Sequence, residues 1–178
     1  MANSYELIQR KKQDINLTKI VSILNKINKK SFNNLLKIEF FMPDAQDDYA
    51  SITIKSKENL SDDYCVCFWL NKSPFTLYEG ESDVPKEINT ESLELSHPHG
   101  SMFIEWLSFH LFYLVANHIK DGLIVGEGYY NDKGYLIEDE YKVRTLKWWK
   151  DNLYKHGRLR PERKYVGKEL FDFCKKNY

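Results

Sequence analysis

MFIEWLSFHLFYLVANHI, running from Met102 to Ile119, carries one formally charged side chain, Glu105. Apolar residues fall on nearly every side of its helical wheel, so a helix here must be covered around most of its circumference. It is a poor membrane span, being short, placed mid-chain and interrupted by Glu105, His110, Asn117 and His118. Ser101 is placed to cap its start and Gly122 to end it. A helix of this kind needs a broad apolar partner, and the segments on either side provide a sheet.

Upstream, Leu36, Ile38, Phe40 and Met42 alternate with Lys37 and Glu39 as far as Pro43. Ala50, Ile52 and Ile54 alternate with Ser51, Thr53 and Lys55. Tyr64 to Leu70 is almost continuously apolar, as in a strand covered on both faces, and Phe75 to Tyr78 reads as a short fourth strand. The acidic connections Pro43 to Tyr49 and Ser56 to Asp63 suit hairpin turns. Downstream, Leu123 to Tyr130 and Tyr135 to Ile137 flank Asn131-Asp132-Lys133-Gly134, the clearest hairpin signal in the chain. Gly126 and Gly128 point to a bulge or a close backbone approach. Gly80 to Gly100 has no regular period, and a stretch that long within a compact domain is usually functional or disordered.

At the N-terminal side, Asp14 is the expected cap of a helix over residues 15–30, with Leu17, Ile20, Val21, Leu24 and Ile27 on one face. Two further helices are expected around Lys142 to Tyr154 and Val166 to Lys176, separated by a basic loop, His156 to Lys164. The fold class is therefore α+β. A mainly antiparallel sheet of five to six strands packs on a central apolar helix, with N-terminal and C-terminal helices. Residues 1–178 form a single domain, of which 142–178 is a basic helical region. With 12 Tyr, 10 Phe and 4 Trp among its 178 residues, the chain has enough apolar area for a core without metal or disulfide staples.

The formal net charge of zero conceals segregation. Residues 1–37 carry eight Lys/Arg and two acids, residues 38–141 six and twenty, and residues 142–178 twelve and four. Either the basic ends pack on an acidic middle, or separate surfaces serve separate partners. Asp44, Asp47 and Asp48 occupy one connection and Asp62 and Asp63 another, while Glu79, Glu81 and Asp83 occupy or border the long unpatterned stretch. Carboxylates arrayed in this way can imitate phosphates to a basic partner and steer its approach. Their plainer use is solubility.

Met1 to Asp14 is polar and charged without an apolar run, so no secretory leader is expected and the chain reads as cytoplasmic. Three cysteines do not make a disulfide framework. Cys65 and Cys67 share one face of a strand, where two small buried hydrophobes are the expectation.

Candidate chemistry is sparse. His97, His99, His110 and His118 form the most enzyme-like group, because imidazoles ligate zinc. Yet the last two are eight positions apart on a helix, and no recognised ligand spacing is present. His110 also shares a stripe with Phe103, Leu107, Leu111 and Leu114, as a core histidine does. Gly126-Glu127-Gly128 lacks the third glycine and following helix of a dinucleotide loop. Trp148, Trp149 and Lys150, with Lys155, Arg158, Arg160, Arg163 and Lys164, have the composition of a single-stranded nucleic-acid platform. Docking of that helix through Leu146, Trp149 and Leu153, with solvated cations, is the preferred account.

Trp106, Phe109, Leu114 and Ala116 on the apolar helix, then Gly122 and the Asn131–Gly134 turn, give a layout that resembles the small α+β immunity proteins of bacterial toxin systems. The resemblance spans roughly half the chain, residues 100–141 with the strands before them, and contains no diagnostic motif. It implies a small intracellular protein that binds and blocks one cognate toxin, with no catalytic residues and no cofactor. It transfers no interface position. The leading expectation is thus a non-enzymatic protein-binding module that presents Asp44, Asp47, Asp48, Asp62, Asp63, Glu79, Glu81 and Asp83 to a basic partner. No membrane, no metal and weak or no nucleic-acid binding are expected. The alternative is nucleic-acid binding through the basic aromatic region, and the third is a metal-dependent enzyme using His97 and His99.

Overall fold

In the computed structural model, residues 5–9, 15–42, 50–71, 92–96, 102–119, 122–126 and 160–178 are described. Among the described residues the six strands are β1 (Tyr5–Gln9), β2 (Leu36–Phe41), β3 (Ser51–Ser56), β4 (Val66–Asn71), β5 (Ser92–Ser96) and β6 (Gly122–Gly126). They form one sheet in the order β2-β3-β4-β5-β1-β6, and every neighbouring pair is antiparallel. The helices are α1 (Leu17–Ser31), α2 (Met102–His118), α3 (Arg160–Val166) and α4 (Lys168–Asn177). The architecture is α+β.

Pleating divides the sheet residues into two sets. Register aligns Ile38 with Ile54, Ile54 with Val66, Ile52 with Phe68, Phe68 with Leu95, and Leu93 with Leu7. Ile52, Ile54, Val66, Phe68, Leu93 and Leu7 are wholly inaccessible. The intervening residues Thr53, Lys55, Cys67, Trp69 and Glu94 are only half-buried. The core therefore lies on one face, under α1 and α2. Phe112 of α2 meets Phe68 of β4 at 5.4 Å between ring centroids.

Helix α2 buries Phe103, Ile104, Trp106, Leu107, Ser108, His110, Leu111, Phe112 and Val115, the wide coverage that its sequence demands. It ends at His118, and Gly122 opens β6 rather than closing the helix. Helix α1 starts at Leu17, capped by Asn16, whose side chain accepts from the Lys19 N–H at 3.1 Å. The cap expected at Asp14 is thereby corrected. At the other end, buried Asn28 accepts from Leu36 N–H at 3.0 Å and donates to Leu36 O at 2.9 Å. It acts as an extra rung that seats β2 against the helix, across a turn in which Asn33 and Asn34 take left-handed φ values of 48° and 60°.

Two strands arise where none was expected. β5 lies inside the stretch read as unpatterned; Leu93 and Leu95 alternate with Ser92 and Glu94, but over only five residues. β1 lies in the polar N-terminal stretch, and pairing on both sides, with β5 and β6, makes it a strand despite its weak pattern. Residues 160–164 of the expected basic loop are helical. Gly167, at φ 95°, separates α3 from α4 where a single helix from Val166 was expected. The strand at Phe75–Tyr78, the helix at Lys142–Tyr154 and the hairpin beyond Gly126 lie outside the described residues.

Candidate functional site

The connection from Lys57 to Cys65, between β3 and β4, carries the two described members of the acidic set. Asn59 Oδ1 accepts from Ser61 N–H at 2.9 Å, and Asn59 Nδ2 donates to Tyr64 O at 3.2 Å. Asp63 N–H donates to Ser61 Oγ at 3.4 Å. The turn is thus closed by its own side chains, as Asx and Ser turns are. It leaves Asp62 and Asp63 exposed, beside a Leu60 that is 75% exposed.

The same turn is braced from behind by the C-terminal helices. Glu58 Oε2 accepts from Glu169 N–H at 2.7 Å, in the first turn of α4, where free backbone donors favour a carboxylate. Tyr64 stacks on Tyr165 with centroids 4.9 Å apart, and Leu60 N–H donates to Tyr165 O at 3.4 Å. Burial and the neighbouring acids Glu162 and Asp63 hold the Tyr64 phenol in its neutral form, above its ordinary pKa.

On the half-open sheet face, Asp62 pairs with Lys55 at 3.1 Å, and Lys55 pairs with Glu39 at 3.2 Å. Lys37 and then Lys55 draw the Glu39 carboxyl below its usual range. Asp62 and then Glu39 raise the Lys55 ammonium. These groups are solvated, so they shape the local potential more than they add stability. Asp44, Asp47, Asp48, Glu79, Glu81 and Asp83 lie outside the described residues.

The histidines divide. His110 is stacked on Trp106 at 5.1 Å, with Tyr178 edge-on at 4.7 Å and Phe32 at 5.9 Å. Burial lowers its pKa to about 4, so it is a neutral core imidazole at neutral pH. His118 is exposed and its Nδ1 contacts Leu114 O at 2.7 Å. His97 and His99 lie outside the described residues. Among the described residues no group of three or more His, Cys, Asp or Glu converges on a metal-sized site.

Of the basic set, Arg163 pairs with Asp172 at 2.7 Å and Lys164 lies 5.8 Å from the centre of its neighbour's ring, Tyr165. Trp148, Trp149, Lys150, Lys155 and Arg158 lie outside the described residues. Among the described residues no helix is long and apolar enough to cross a membrane.

Sequence reasoning missed two functions of acidic residues. Glu58 and Glu162 each cap a helix far away in the chain, a tertiary relationship without a local pattern. It also placed Cys65 and Cys67 in the interior. Both are half-buried, on the face away from the helices, because the apolar run Tyr64–Leu70 alternates between a covered and a partly open side.

No protein-family model matches this chain, and comparison with curated proteins and with solved structures gives no match. The functional reading rests on the chain's own residues.

Proposed function

We propose that this chain is a non-enzymatic protein-binding module, and in its most specific form an immunity-type inhibitor that blocks a basic toxin through an acidic surface. The observation that carries the proposal is the braced turn that presents Asp62 and Asp63 beside exposed Leu60. A turn fixed before binding loses little conformational freedom on contact, and exposed carboxylates around an apolar residue suit a basic surface with an apolar recess. Asp44, Asp47, Asp48, Glu79, Glu81 and Asp83 join this surface on sequence grounds alone.

The test is cross-linked capture from nuclease-treated extracts of the producing cells, run in parallel with the wild-type chain and Asp62→Lys/Asp63→Lys. A basic protein recovered stoichiometrically by the wild type and lost by the variant, at an unchanged melting temperature, supports the reading. Equal recovery by both chains removes the turn from the interface. Recovery of nucleic acid in a parallel capture from extracts without nuclease, sensitive to Lys164→Ala, favours the alternative reading.

A further inference from the structure

Cys65 and Cys67 bring their sulfurs to 3.7 Å on the sheet face away from the helices. Both side chains are half-buried, whereas Cys174, the third cysteine, is wholly buried on the inner side of α4. Cys67 is fixed by its register with Thr53, whose hydroxyl lies 3.9 Å from the Cys67 sulfur. Cys65 precedes the first residue of β4 and so is not held by the strand's ladder. A disulfide needs its sulfurs at about 2.05 Å, and the less constrained Cys65 is the partner able to close the gap.

The geometry points to Cys65–Cys67 as a reversible dithiol–disulfide site, oxidised by small peroxides and reset by thiol reductants. The arrangement divides the labour between the two sulfurs. The Cys65 thiol, and then the Thr53 hydroxyl, donate towards Cys67 and lower its pKa to about 6, outweighing burial, while Cys65 itself is raised. A single negative charge on the pair has two donors in reach at Cys67, the Cys65 thiol at 3.7 Å and the Thr53 hydroxyl at 3.9 Å, and the thiolate is the form that attacks an electrophile.

The Cys67 thiolate attacks one peroxide oxygen, and the O–O bond breaks. The departing hydroxide, or alkoxide, takes up a proton, and Cys67 becomes a sulfenic acid. The Cys65 sulfur then attacks the Cys67 sulfur. The S–O bond breaks, and the hydroxide released leaves as water with the proton from Cys65. With hydrogen peroxide, two thiols and one peroxide become one disulfide and two waters, and two electrons pass from sulfur to oxygen. A thiol reductant reverses the cross-link by exchange. The ring closes over Val66 alone, and strained disulfides of this kind are the readily reduced ones.

The full chain carrying Cys174→Ser isolates the pair. Treatment with equimolar hydrogen peroxide should remove both titratable thiols, lower the intact mass by two hydrogen atoms and leave the chain monomeric on a non-reducing gel. Dithiothreitol should restore both. With Cys65→Ser added, oxidation should stop at a Cys67 sulfenic acid trapped by dimedone. With Cys67→Ser, or Cys67→Ala if the hydroxyl disturbs the strand, Cys65 should resist the same dose, and circular dichroism confirms that each variant is folded. Retention of both thiols, a disulfide-linked dimer, or equal reactivity of the two single variants would overturn the assignment.

Discussion

Oε2 of Glu162 lies 2.8 Å from the backbone nitrogen of Phe103, and its Oε1 lies 3.0 Å from that of Met102. A carboxylate on α3 therefore supplies the cap of α2, a helix some sixty positions away. The first N–H groups of a helix have no partner within it, and at a buried end they must find one elsewhere. Glu162 is itself buried, so the donors and acceptor satisfy one another out of water. The basic C-terminal region is thus joined to the rest partly through one of its few acids.

Glu162→Ala should destabilise the fold by about 1–3 kcal/mol, the usual cost of leaving buried donors unsatisfied. Glu162→Gln keeps an acceptor but loses the charge that suits a helix N-terminus, and should cost less. Urea denaturation of both, beside Lys164→Ala as an exposed control expected within about 0.5 kcal/mol, checks the ranking. Equal stability of all three would remove the cap from the fold's energetics.

His110 gives stability a pH dependence. Burial lowers its folded pKa to about 4, against an ordinary value of 6.5. Between these values the unfolded chain binds a proton that the folded chain refuses, so stability falls as pH drops from 6.5 towards 4 and levels off below. Above 6.5 the residue has no effect on the slope. The loss from this group amounts to about 3 kcal/mol across the window. Melting temperatures over this range should decline less steeply in His110→Phe, which preserves the ring contacts with Trp106, Phe32 and Tyr178. Parallel slopes would show that carboxylates elsewhere set the acid sensitivity.

Asp62→Lys/Asp63→Lys should shift folding stability by less than about 1 kcal/mol, because exposed ion pairs contribute little. The Asp62 side chain is 95% exposed even with Lys55 beside it. A melting temperature close to the wild type's confirms that the turn is free for other work. A large loss would mean that its carboxylates hold the fold, and the binding reading would lose its described residues.

What the sequence discloses here follows from the range of the interactions. Helix α2, helix α1 and the strands around Ile38, Ile54 and Phe68 are legible because each repeats its pattern over enough residues to need only one neighbour. β5 has two apolar residues in alternation, Leu93 and Leu95, within an acidic stretch, and its pairing partners lie far away in the chain. β1 depends on two such partners. Asp62 and Asp63 were readable as exposed because turn carboxylates generally are, but nothing local distinguishes them from Glu58, which is turned towards α4. The Cys65–Cys67 separation was also out of reach: alternation puts both on one face, but only the packed sheet shows that this face is partly open.

Gly167 offers the sharpest test of how the turn and the C-terminal helices are joined. Its φ of 95° is a conformation that residues with a side chain rarely adopt. A Cβ added there would lie 2.8 Å from both the Glu58 Cβ and the Ser56 Oγ. Neither is the free end of a long side chain: Ser56 is buried at the end of β3, and Glu58 is held by its bond to Glu169 N–H. Gly167→Ala must therefore move α4 away from the turn or leave the backbone strained. Both routes weaken the Glu58 cap and the burial of Leu170 and Phe171, so a cost of at least about 2 kcal/mol is expected. Glu58→Gln keeps the close approach while weakening the bond, and should cost about 1 kcal/mol. Hydrogen exchange distinguishes the two variants. Gly167→Ala should raise exchange across the whole of α4 and the 57–65 turn together, whereas Glu58→Gln should raise it mainly at Glu169. If Gly167→Ala left both segments protected, the close packing of α4 on the turn would not hold in solution, and the bracing that supports the binding proposal would fall with it.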